Sequence, residues 1–270
     1  MRRVNGMMLA AGTVLVLGAS AFGGTLTIRD RNALADVDPD SLDGMYNWVV
    51  DGTDSLFQQW FWVRPDGASF ETPLNGLTLT GTALSDTNTF DDPAADTLAM
   101  QHEGFGLRVT TTFQLRGSTP GSGTSTIGEQ IRIRNIATFP QTISFFQYND
   151  FDLRDTAGGD TVQIFSGNTA IQTDGSVDMA EVAATPAPTA YQVGTFPTIL
   201  NSLQDGAVTT LNNFAGPIGP GDATWAFQWT VTLNPGQELL ISKNKFVQVP
   251  GPGSLALAGL AGLVGLRRKR

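Results

Sequence analysis

An all-β fold, an antiparallel β-sandwich of jelly-roll or immunoglobulin-like type, is what this 270-residue sequence predicts for its long middle section. Phe105, Leu107, Val109, Thr111, Phe113 and Leu115 alternate with Gly106, Arg108, Thr110, Thr112 and Gln114. Trp225, Phe227, Trp229, Val231 and Leu233 alternate with Ala226, Gln228, Thr230 and Thr232 in the same way. A period of two sends successive side chains to opposite faces, so each run reads as a strand with one wet face. Between the two ends the sequence holds no amphipathic helix of globular length, and apolar strand faces must then bury one another sheet against sheet.

Taken in order, the chain opens with Arg2 and Arg3, an apolar run from Met7 to Leu17 and small residues through Ala19-Ser20-Ala21. That is the layout of a signal peptide over 1–21, too short in its apolar part to span a bilayer, with cleavage expected after Ala21. The body is expected over 22–248. Its shorter strand candidates are Leu26–Arg29, Tyr46–Val50, Trp60–Arg64, Leu77–Thr82, Gln130–Ile136, Ile143–Tyr148, Thr161–Phe165, Val177–Glu181 and Leu239–Phe246, each bounded by Gly, Pro, Asn or Asp. That makes about ten to twelve strands in all. Thr198 to Gln204 reads as one or two helical turns with Ile199, Leu200 and Leu203 inward. Asn234-Pro235-Gly236-Gln237 reads as a tight turn, since Pro235 fixes φ and Gly236 accepts a positive φ, and it predicts a hairpin joining the strands on either side.

The last segment, 249–270, runs Val249-Pro250-Gly251-Pro252, an apolar stretch 254–266, and the basic tail Arg267, Arg268, Lys269 and Arg270. The apolar stretch predicts a transmembrane helix with its basic end on the cytoplasmic side, placing the body beyond the inner membrane.

Charge and composition narrow the function classes. The chain has 16 Lys and Arg against 25 Asp and Glu, a net charge of −9. Six of the basic residues sit at the extreme ends, which leaves the body ten against 25, or −15. Nucleic acid is therefore excluded as a partner, because phosphate binding needs a positive field. With no Cys there is no disulfide, thiol nucleophile or Cys-bound metal. The core must rest on burial, and the 5 Trp and 16 Phe supply large rings for it.

Catalytic signatures are absent. His102 is the single His, expected at the surface just before a strand, and no G-x-S-x-G elbow presents a serine. Glu103, Glu129, Glu181 and Glu238 are acids that could face one another across a cleft, without any spacing that brings them there. The expectation is a protein that is not an enzyme. Asp36, Asp38, Asp40 and Asp43 imitate the start of a calcium loop, but Ser41 and Asn47 stand where an EF-hand needs Gly and Glu. Asp150, Asp152, Asp155 and Asp160, ahead of Gly158-Gly159, are the weak candidates for a structural Ca²⁺, the one cofactor considered. The small-residue segment 117–125 reads as a flexible hairpin loop, and Thr185-Pro186-Ala187-Pro188-Thr189 as a semi-rigid connector.

Trp60, Phe61 and Trp62 cannot share one strand face. A packed aromatic strand is one reading, and an exposed ring beside Gln58 or Gln59 that stacks on a sugar is the other.

The tail, in which Val249-Pro250-Gly251-Pro252 precedes an apolar segment and an Arg-rich end, resembles the PEP-CTERM sorting signal, the tag of exosortase substrates in Gram-negative bacteria that make extracellular polysaccharide. Gly251 stands where that signature carries Glu. The body is similar to PEP-CTERM proteins of unknown activity at Val50-Asp51-Gly52, Phe57 to Trp62, Phe145 to Leu153 and Asn234-Pro235-Gly236. The resemblance implies passage through the secretion machinery, signal peptidase and an exosortase-like protease, and delivery to the cell surface or extracellular matrix, including a biofilm. It implies a non-enzymatic surface or matrix protein. A carbohydrate-binding module for exopolysaccharide is the alternative, and a secreted hydrolase or an ice-binding protein stands further off.

Overall fold

The computed structural model describes residues 24–175 and 177–250. The expected signal peptide, Gly251, Pro252, the apolar stretch 254–266 and the basic tail 267–270 lie outside them. In chain order the strands are β1 (Leu26–Asp30), β2 (Ala33–Asp38), β3 (Gly44–Val50), β4 (Thr53–Asp54), β5 (Gln58–Pro65), β6 (Thr72–Pro73), β7 (Thr78–Ser85), β8 (Thr97–Gly104) and β9 (Leu107–Gly117). There follow β10 (Thr124–Asn135), β11 (Gln141–Asp150), β12 (Asp160–Phe165), β13 (Thr169–Asp174), β14 (Val177–Thr185) and β15 (Ala190–Thr195). A short helix α1 (Thr198–Gln204) precedes β16 (Ile218–Gly221), β17 (Ala223–Leu233) and β18 (Glu238–Gln248).

These strands form two nine-stranded sheets. The first runs β1-β2-β3-β5-β11-β17-β15, with β4 and β6 attached to β3 and β5. The second runs β16-β12-β13-β14-β18-β10-β9-β8-β7. The jelly-roll or immunoglobulin-like expectation is therefore corrected: those sandwiches use about seven to nine strands in all, and this one has that number in each sheet. The shortfall arose where local signals are weak. β2 reads Ala-Leu-Ala-Asp-Val-Asp and β8 carries Gln, His and Glu, so neither announces itself. The expected transmembrane helix, 254–266, lies outside the described residues, among which no helix is long and apolar enough to cross a membrane.

β9 shows what its alternation predicts, with Leu107, Val109, Thr111, Phe113 and Leu115 buried on one face. Phe105 leaves the pattern. It takes a left-handed φ of 56° in the turn between β8 and β9, and its ring is exposed. The turn at 234–237 also forms, with Gln237 N–H donating to Asn234 O at 2.9 Å and Gly236 at φ 78°. It does not make a hairpin. β17 enters the first sheet between β11 and β15, while β18 crosses to the second and lies between β10 and β14. The last two strands thus occupy the interior of opposite sheets. In α1, Ile199 and Leu203 are buried and Leu200 packs partly against the core.

Rings fill the space between the sheets. Phe61 of β5 stacks on Phe145 of β11 and on Phe113 of β9, which joins the two layers. Trp229 packs against Phe145 and Phe227, and its indole N–H donates to Pro186 O in the connector between β14 and β15. Trp229→Ala should lower the unfolding free energy by about 3–5 kcal/mol, from lost transfer energy plus the cavity left behind. Urea denaturation checks this, and a loss under about 1 kcal/mol would show a site that collapses freely.

Candidate functional site

β11 and β17 pair antiparallel with Asp150 opposite Thr224, so the end of one strand lies beside the start of the other. Asp222 immediately precedes β17 and arrives next to Asp150. Beyond β11, Phe151 is buried and stacks on Trp225, with ring centroids 5.3 Å apart, and Leu153 is buried as well. Asp152, pinned between two inward-facing residues, is turned outward. One carboxylate oxygen from each of Asp150, Asp152 and Asp222 falls within 4.8 Å of the others, a group that could hold a metal ion.

The electrostatics of this group are unbalanced. Among the described residues no lysine or arginine reaches a salt bridge with any of the three. Burial, then the charge of Asp222, pushes the Asp150 carboxyl up to about 8. Burial, then Asp222 and Asp155, pushes Asp152 up to about 6, and burial raises Asp222. Asp150 Oδ2 accepts the Tyr148 hydroxyl at 3.0 Å, whereas its Oδ1 is buried with no hydrogen-bond partner. Uncompensated buried oxygens of this kind suit a hard cation that takes oxygen ligands.

A cavity of about 130 Å³ opens beside Asp152, lined by Tyr46, Asn47, Asp54, Leu56, Phe57 and Asp155. One lining residue, Phe57, carries an exposed ring that meets a second, Phe196. Phe57 is 53% exposed and Phe196 38%, and they meet edge to face at 6.2 Å. Each is tied to the acids through the backbone: Phe57 N–H donates to Asp150 O at 3.1 Å, and Phe196 N–H to Asp222 O at 3.0 Å. A second concavity, about 340 Å³, lies on the second sheet and is lined by polar residues including Thr112, Gln114, Gln130 and Asn244, together with Glu129 and Lys243.

Of the sequence candidates, Asp150 and Asp152 come together. Asp155 is exposed, lines the cavity and has a left-handed φ of 58°. Asp160 is fully buried at the start of β12, outside the three-residue group, with its carboxyl pushed up to about 7 by burial. Asp222 was not foreseen, because only the β11–β17 register brings it near residues some seventy positions earlier. Asp36 binds Thr27 and Asn47 and joins no metal-holding group among the described residues.

Trp60, Phe61 and Trp62 are all fully buried. Phe61 stacks on Phe113 of the second sheet, Trp60 packs edge to face on His102 and Trp62 on Tyr148. The exposed rings of the site are instead Phe57 and Phe196. His102, expected at the surface, is fully buried in β8, and burial pushes its imidazole down. Glu129 and Glu181 do converge, but inside the core and beside two lysines rather than across a cleft. Of the expected sorting motif, Val249 is buried, with its N–H donating to Gly123 O at 2.7 Å.

No family model and no curated protein matches the chain. Solved structures do share its architecture. A bacterial glucoamylase complexed with acarbose matches with a TM-score of 0.55 at 11% identity, over 92% of this chain and 37% of that one. An aldose 1-epimerase-type protein from Escherichia coli K12 matches at 0.52 and 11%, over 83% of this chain and 98% of its own. A galactose mutarotase-like protein from Lactobacillus casei matches at 0.51 and 8%, over 83% and 100%. The chain thus spans just over a third of the glucoamylase and essentially the whole of the other two.

These likenesses correct the expectation of a PEP-CTERM-type, non-enzymatic surface or matrix protein. At the level of fold, the body is a two-sheet sandwich of the kind found in carbohydrate-active enzymes. It carries a convergent acid group where no site was expected to be catalytic. The acids that converge are brought together by strand pairing, which leaves no local motif in the sequence.

Proposed function

We propose that the protein is a carbohydrate-recognising sandwich whose glycan site lies at the Asp150, Asp152 and Asp222 end, with a Ca²⁺ held by those three carboxylates. The observation that carries this reading is the coincidence of two features in one place. A carboxylate group lacking its counter-charge is tied through backbone hydrogen bonds to a pair of solvent-exposed residues whose rings meet edge to face. Calcium takes six to eight oxygens, so about three carboxylates leave coordination positions open for sugar hydroxyls. An aromatic face supports the apolar side of a sugar ring, and Phe57 and Phe196 are the rings available. The fold shared with a glucoamylase and aldose-epimerase-type proteins agrees with a saccharide ligand. The acidic body repels anionic polymers, which favours a neutral exopolysaccharide.

A second reading rests on the split between Asp150 and Asp152. Without a cation, a carboxyl titrating near 8 beside one near 6 gives a proton donor and a proton acceptor in adjacent positions. Asp152, which opens onto the cavity, would take the proton from a sugar hydroxyl, and Asp150 behind it would stay protonated.

Glycan-array binding of the full chain, with calcium and with chelator, separates the two. Calcium-dependent binding that Phe57→Ala weakens about tenfold is the expected result, since an aromatic contact contributes up to about 1.5 kcal/mol. Turnover of a sugar in chelator, abolished by Asp152→Asn, would replace it with the acid–base reading. No binding by folded protein in calcium would overturn it.

A further inference from the structure

The core between the sheets contains a polar cluster that the glycan site does not use. Lys243 and Lys245 of β18 point inward from the second sheet and are almost fully buried, as are Glu129 of β10 and Glu181 of β14. Facing them from the first sheet are Gln59 of β5 and Gln147 of β11, both fully buried.

The connections are specific. Lys245 Nζ touches Gln59 Oε1 and lies 2.5 Å from Glu129 Oε1. The same Glu129 oxygen accepts Gln59 Nε2 at 2.9 Å. One carboxylate oxygen therefore bridges an amine and the nitrogen of the carboxamide that the amine touches. Lys243 repeats the arrangement: its Nζ touches Gln147 Oε1 and lies 3.0 Å from Glu181 Oε1, which accepts Gln147 Nε2 at 2.8 Å. The surroundings are aromatic, with Lys245 Nζ 6.0 Å from the centre of the Phe151 ring and Lys243 Nζ 5.5 Å from that of Phe61.

We propose that Lys245 and Gln59 condense into an intramolecular isopeptide bond, with Glu129 as the catalytic carboxylate. The lysine ammonium passes one proton to Glu129, and the amine attacks Gln59 Cδ, one bond beyond the oxygen it already touches. The Nζ–Cδ bond forms and the Cδ–Nε2 bond breaks. Of the three Nζ protons, one stays on the new amide, one leaves on Nε2 as part of ammonia, and one remains on Glu129. No oxidant or cofactor takes part. The net charge of the site is unchanged, because an ammonium and a carboxylate become an amide and a neutral carboxylic acid. Removing a buried ion pair from an apolar core favours the product. Burial also lowers the Lys245 amine, which makes the neutral nucleophile easier to reach. The bond would join the two sheets across residues 186 positions apart, in a chain with no Cys to do so.

Mass spectrometry of the purified full-length protein tests this. The expected result is a mass lower by one ammonia per bond, trypsin failing to cut after Lys245, and a branched peptide joining Lys245 to Gln59. Gln59→Leu should restore cleavage after Lys245 and the unbranched peptides. Fully separate Lys245 and Gln59 peptides from folded wild-type protein would overturn the proposal and leave a non-covalent network. So would a linkage found at Lys243 and Gln147 alone. Because the decisive measurement is on the wild type, a variant that fails to fold does not blunt it.

Discussion

Metal-free protein should lose stability as pH rises from about 4 to about 8, and calcium should offset part of that loss. The sign follows from the acids at the end of the sandwich. Asp150, Asp160 and Asp152 have folded-state carboxyls near 8, 7 and 6, all above the ordinary value of 3.8 that they regain on unfolding. Between those limits the folded state binds more protons than the unfolded one, so unfolding releases protons and stability falls with rising pH. For buried Asp150 alone the shift corresponds to a loss on the order of 5 kcal/mol across the window, at about 1.4 kcal/mol per pH unit. The acids repel one another, so the whole group titrates in coupled steps rather than as a sum.

A cation that binds only the folded state opposes this. It requires the ionised carboxylates, so its affinity rises with pH over the range where the metal-free protein weakens. At a hundredfold excess over Kd it adds about 2.7 kcal/mol, which for a chain of this size is a rise in Tm on the order of 5–10 °C. Thermal melts at pH 5 and pH 8, with calcium and with chelator, measure both effects. Asp150→Asn should flatten the pH dependence of the metal-free protein and abolish the response to calcium. A wild-type Tm at pH 8 that is the same in calcium and in chelator would remove the metal from the site.

What the sequence discloses and what it hides divide along physical lines. The strand β9 is legible because one face is wet, which leaves the period of two intact. The turn at 234–237 is legible because Pro235 and Gly236 act locally. The fate of the strands around it is not, since alternation marks β17 as a strand without naming its neighbours, and burial of both faces over most of its length removes the wet face that the alternation implied. β18 finds its partners in β10 and β14, up to about 120 residues away, and no local signal competes with those pairings. The acid group is half legible for the same reason: Asp150 and Asp152 are neighbours in sequence, and Asp222 is their neighbour only through strand register. The lysines were legible in principle. In Ile241-Ser242-Lys243-Asn244-Lys245-Phe246-Val247 the alternation sets Lys243 and Lys245 on the face of Ile241 and Val247. Composition argues for solvent and periodicity for the core, and periodicity wins because Glu129 and Glu181 stand beside the lysines on the neighbouring strands while Gln59 and Gln147 face them from the opposite sheet.

That inward face makes Glu129→Gln the most damaging single substitution expected in the core. Glu129 contacts both Lys243 and Lys245, whereas Lys245 stands 4.0 Å from the only other carboxylate in the cluster. Burial alone would raise the Glu129 carboxyl, but the two lysines outweigh it and hold it below the usual range. Neutralising it leaves two buried amines facing one carboxylate, and breaking a buried pair from one side costs about 3–5 kcal/mol. It also removes the proposed catalyst for the Lys245–Gln59 bond, so any stability from that bond is lost in the same direction. Removing both partners is a different matter: Lys245→Met with Glu129→Leu deletes one charge of each sign, and such replacements are often neutral or stabilising. Urea denaturation of Glu129→Leu, Lys245→Met and their double gives the coupling between them, with Glu129→Gln measured alongside. A double variant near wild type beside a crippled Glu129→Gln would show that the pair is costly to break yet contributes little when intact. A double variant as weak as the single one would instead show that the covalent bond, which both lack, carries the stability.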